Sequence, residues 1–87
     1  MSWLQMYVKA PEGSGYTTPH AMKRVDDHLT QQFPAAFCCP EDLPIQEADG
    51  TWEVRIFDAS NDLIVRIVKR ILTDHYGLKI VREVPHG

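Results

Sequence analysis

No stretch of this sequence approaches the about 20 consecutive apolar residues that a membrane-spanning helix requires. The opening Met1-Ser2-Trp3-Leu4-Gln5-Met6 has no basic segment leading into an apolar one. A secretory signal is therefore not expected, and cytoplasmic residence is the natural reading. Cysteine is scarce: the 87 residues hold two, and these are the adjacent pair Cys38 and Cys39. Neighbouring cysteines bond to each other only through a strained eight-membered ring, which excludes a disulfide framework. A basic excess is also missing. Nine Lys and Arg stand against twelve Asp and Glu, a net charge of −3, which argues against a general binder of nucleic acid or anionic membranes. Without repeats, linkers or low-complexity runs, residues 1–87 read as a single α+β domain. Its core is thin enough to benefit from oligomerisation.

Periodicity supplies the elements. Leu4, Met6 and Val8 alternate with Trp3, Gln5, Tyr7 and Lys9, a strand pattern that stops at Pro11. Thr18 followed by Pro19 opens a helix as N-cap and first helical residue. Met22, Val25, Leu29 and Phe33 recur along that helix until Pro34 ends it. Ala35 to Ala48 contains a β-compatible Phe37-Cys38-Cys39, but Pro40 and Pro44 confine any strand there to a sheet edge. Asp49-Gly50 reads as a two-residue type I′ hairpin turn, which would set Ile45 opposite Val54. Thr51 to Asp58 is the clearest strand. Asp58 to Asp62 offers helix caps, and a broad stripe of Ile64, Ile67, Val68, Ile71 and Leu72 predicts a helix from Leu63 to Tyr76. Gly77 would terminate it, with Leu78 making the apolar contact of a Schellman motif. Leu78 to Val84 reads as a last strand stopped by Pro85.

The order β-α-β-β-α-β is the split β-α-β, and it resembles the ferredoxin-like arrangement. That likeness implies a four-stranded antiparallel sheet with two helices on one face. The first and third strands would be central and the proline-marked strand at an edge. The other face would then be open, carrying Trp3, Tyr7, Arg55 and Phe57, with Lys79, Val81 and Glu83 from the last strand. Three aromatics beside an arginine exceed what a solvated surface needs and match the composition of interface centres. The leading expectation is a small non-enzymatic interaction module that self-associates through this face, most simply as a dimer, or that binds another protein there. A stacking platform for single-stranded nucleic acid is disfavoured, because Glu53 and Glu83 would repel phosphates.

The alternative is a small-ligand or anion sensor built on Gly13, Ser14 and Gly15, a loop that leads into a helix N-terminus. Acylphosphatases of the ferredoxin-like topology pair such a loop with an arginine. This loop has none, so that activity is not implied. His20, His28, His75, His86, Cys38 and Cys39 lack metal-ligand spacing, so no metal or cofactor is expected. Asp74-His75 and Asp58 with Asn61 occupy helix ends, where caps and dipoles already favour them. No nucleophile, base and orienting group can be assembled, so no catalytic residue is assigned. A small enzyme with its site in a subunit cleft, dependent on His20 or His75, is a third class.

Overall fold

A computed structural model describes residues 3–37, 44, 46–57, 59 and 61–86. Strand β1 spans Trp3–Lys9, with Leu4, Met6 and Val8 buried on one side as the alternation predicts. Helix α1 spans Pro19–Gln32. The Thr18 hydroxyl accepts from the Ala21 N–H at 3.2 Å, and Pro19 occupies the first turn, where no N–H is needed. Strand β2 is Trp52–Ile56, and helix α2 is Asp62–Arg70. The cap of α2 is Asn61, whose side-chain oxygen accepts from the Leu63 and Ile64 N–H groups. Asp58, also a candidate cap, lies outside the described residues. The predicted helix to Tyr76 is not regular to its end: Ile71–His75 winds as a π-helical turn. The Tyr76 N–H reaches back five residues to the Ile71 carbonyl, and the Leu78 N–H reaches six to that of Leu72. Gly77 takes the left-handed conformation there, with φ of 66°. Strand β3 then runs Lys79–His86.

The strands form a three-stranded antiparallel sheet in the order β2-β1-β3. This corrects the expected four-stranded ferredoxin-like sheet, and β2 lies at an edge of the described sheet rather than inside it. The chain after α1 turns instead of extending: the Ala36 and Phe37 N–H groups both bond the Phe33 carbonyl. Phe37, expected in a strand, is buried in the core. Prolines at 34, 40 and 44 thin out the donors a ladder would need. Cys38 to Leu43 and Ile45 lie outside the described residues, and Pro44 is not in a strand. Pro85 does not stop β3, because that strand pairs with β1 alone and an edge position tolerates a missing donor.

The hairpin before β2 also differs from expectation. The Gly50 N–H bonds the Glu47 carbonyl and the Glu47 N–H bonds that of Thr51. Gly50 alone has positive φ, at 87°, among the residues of this turn. This is a three-residue connection with a left-handed glycine, not a type I′ turn. Asp49 explains the preference: its carboxylate accepts from both the Thr51 N–H, at 3.0 Å, and the Thr51 hydroxyl, at 2.6 Å. Gln46 consequently bridges Trp52, one residue out of the register a two-residue turn would impose.

One core joins the layers. Leu4, Met6, Val8, Trp52, Val54 and Ile56 from the sheet meet Met22, Val25 and Leu29 of α1 and Val68 of α2, closed by Leu72 and Leu78. Both helices thus cover the same side of the sheet, and no element among the described residues covers the other side.

Candidate functional site: the open sheet face

The uncovered side is ordered in rows across the three strands. At one end Trp3, on central β1, stands between Phe57 and His86. Its ring stacks on His86 with centroids 3.9 Å apart and planes 7° apart, and faces Phe57 at 6.3 Å and 22°. The Arg55 guanidinium lies 5.8 Å over the Trp3 ring. In the next row Gln5 donates to Glu53 at 2.7 Å and meets His86 Nε2 through its carbonyl oxygen at 3.1 Å. Glu53 also binds Arg55, and that contact holds the Arg55 pKa above its ordinary value. Further along, the Arg82 guanidinium sits 4.1 Å over the Tyr7 ring, within cation–π range. Lys9 and Lys79, paired across the ladder, form the far end.

Trp3, Tyr7, Arg55 and Phe57 therefore lie together on this face. The contribution of β3 differs from the one expected. A bulge between the pairs Tyr7↔Arg82 and Val8↔Ile80 leaves Val81 as an extra residue. Beyond it the alternation is inverted: Arg82, Val84 and His86 face outward with Tyr7, Gln5 and Trp3. Glu83 turns to the helix side instead, where its carboxylate meets Lys69 of α2 at 2.5 Å. Of the expected trio Lys79 keeps its place, Glu83 leaves the face, and Val81 is the unpaired bulge residue, 51% exposed; Arg82 and His86 are participants that sequence periodicity did not place here.

The inversion changes the electrostatics. The face carries Lys9, Arg55, Lys79 and Arg82, and Glu53 is its single carboxylate among the described residues. Its formal charge is +3 in a chain whose net charge is −3. Arg55 is engaged by Glu53, whereas Lys9, Lys79 and Arg82 make no ion pair among the described residues. Asp49, in the neighbouring hairpin, is committed to Thr51. Those two hydrogen bonds, aided by the more distant Arg82, hold its pKa below the ordinary value.

The other candidates gather less. The Ser14 N–H is used by the Pro11 carbonyl and the Tyr16 N–H by the Ser14 hydroxyl, so the Gly13-Ser14-Gly15 loop spends donors on its own turn. Gly13, with φ of 83°, serves that turn. His20 is exposed on the first turn of α1. The π-helical turn brings Tyr76 to His28, with the phenol oxygen 2.5 Å from Nδ1, and sets the His75 ring edge-on to both. Burial, and secondarily Tyr16, raises the Tyr76 pKa. No group of three or more potential metal ligands occurs among the described residues. A cleft lined by Met22, Val25, Asp26, Leu29, Glu53 and Val54 holds about 20 Å³, room for a water rather than a metabolite.

The class defined by these features is a small α+β domain with one sheet face covered by helices and the other left open by the described residues. No helix among the described residues is long and apolar enough to cross a membrane. No family model matches the chain, and no curated protein matches it significantly.

Proposed function

We propose that the chain is a non-enzymatic binding module whose working surface is the open sheet face centred on Trp3, Tyr7, Arg55 and Phe57. The observation that carries this reading is the pre-built cluster itself, the rings of Trp3, Phe57, His86 and Tyr7 and two guanidiniums, held by mutual contacts on the side no helix covers. Such a surface has already lost the side-chain freedom that binding would otherwise remove. Three cations that make no ion pair among the described residues, Lys9, Lys79 and Arg82, favour an anionic partner by charge complementarity.

Self-association is the second reading, and one observation favours it. Phe57 is 37% exposed and Val81 51% exposed, and both are large apolar side chains of the kind a second copy covers. Absolute mass by light scattering over a concentration series separates the two. The first reading predicts a species of one chain throughout. A dimer that Phe57→Glu converts to folded monomer would establish the second.

A further inference from the structure

We infer that the anionic partner of the open face is a single-stranded nucleic acid, held by stacking and by phosphate contacts; this rests on the binding reading above. The face supplies the two things such a strand needs in one track. Rings and cations lie side by side along β1, over about 20 Å: Trp3 with Phe57 and Arg55, Tyr7 with Arg82, then Lys9 with Lys79. Glu83, whose charge would have opposed phosphates, is removed from the face by the bulge and neutralised by Lys69. Glu53 is neutralised by Arg55. What remains without an ion pair among the described residues is positive: Lys9, Lys79 and Arg82, the last near enough to the Asp49 carboxylate to lower its pKa.

An acidic polypeptide would answer the charge but not the rings. The Trp3 and Phe57 planes are nearly parallel with centroids 6.3 Å apart. Phe57, 37% exposed, leaves ring surface on the open face against which a planar base can pack. Arg82 over Tyr7 and Arg55 over Trp3 place guanidiniums beside the rings, where each can reach a phosphate next to a stacked base. Gln5 and His86 spend their polar groups on Glu53 and on each other, so binding is expected to be tolerant of sequence.

The test uses the whole chain, an oligothymidine about twelve nucleotides long, and polyglutamate and heparin as controls. Trp52 is 1% exposed and Trp3 is on the face, so quenching of tryptophan emission reports stacking at Trp3. The inference predicts quenching by the oligonucleotide, with a log–log salt slope of about −2 for three phosphates. Trp3→Ala should weaken binding about tenfold. Arg82→Gln, at an exposed position safe for folding, should make the slope shallower by roughly 0.7. His20→Ala should change neither. Polyglutamate or heparin binding as tightly as the oligonucleotide, with no dependence on Trp3, would overturn the nucleic-acid inference and leave the binding reading intact. Failure of all three polyanions to bind would overturn both.

Discussion

Two tryptophans with opposite roles set the residue-scale picture. Trp52 fills the core at 1% exposure, whereas Trp3 is held on the surface by ring contacts. Trp52→Ala should therefore cost about 3–5 kcal/mol, a large share of the stability of a domain this small. Trp3→Ala should cost under about 1.5 kcal/mol, since it forfeits stacking but leaves no cavity. Urea denaturation of the two variants checks the contrast, and equal losses would contradict it. Asp26 offers a pH-dependent test. Burial holds its carboxyl above the ordinary value, a tendency that Lys23 opposes and Asp27 reinforces. The folded state then binds this proton more tightly than the unfolded chain, so the group's contribution to stability falls as pH rises through the interval between the two pKa values. Asp26→Asn should stabilise the protein at pH 7 by less than about 1 kcal/mol, given partial solvent screening. The gain should vanish below pH of about 4. An equal gain at both pH values would contradict the assignment.

Among the elements, β3 decides the character of the site. Its one extra residue, Val81, turns Arg82 and His86 onto the open face and Glu83 towards α2. A double-mutant cycle on Lys69→Ala and Glu83→Ala should show a coupling of about 0.2–1 kcal/mol in thermal unfolding. Zero coupling would count against this ion pair as a stabilising contact. This bulge was not legible in the sequence for a specific reason. In Ile80, Val81 and Val84 the apolar residues fall on both parities, so period two gives no unique inside face and an inserted residue leaves no trace. Where the alternation is strict, in β1 and β2, inside and outside residues follow from it directly. That is why Trp3, Tyr7, Arg55 and Phe57 group together on alternation alone. The type I′ reading of Asp49-Gly50 failed because the Asp49 carboxylate bonds Thr51 and stabilises a wider turn, a competition between side chain and backbone that the dipeptide alone does not show. The π-helical turn is similarly invisible to a 3.6-residue stripe. Thr73, whose hydroxyl donates back to the Lys69 carbonyl at 2.9 Å, is its one local signal.

For the whole molecule, sign of charge and side of sheet go together. An acidic chain carries a face of formal charge +3 among the described residues, with rings and cations side by side along β1. Net charge argued against anionic partners, because a sum over the chain discards the placement that the sheet imposes. The expected fourth strand rests on the β-compatible Phe37-Cys38-Cys39 and the hairpin signal at Asp49-Gly50, but the chain turns at Phe33 to Phe37, Phe37 enters the core, and the described sheet has three strands. The most direct test of the open face as the working surface is a residue-resolved NMR titration of the intact chain with heparin at low salt. Shift changes are predicted to concentrate at Trp3, Gln5, Tyr7 and Lys9 and at Arg82, Val84 and His86. Changes centred instead on Gly13 to His20, or on His28 and His75, would contradict the account.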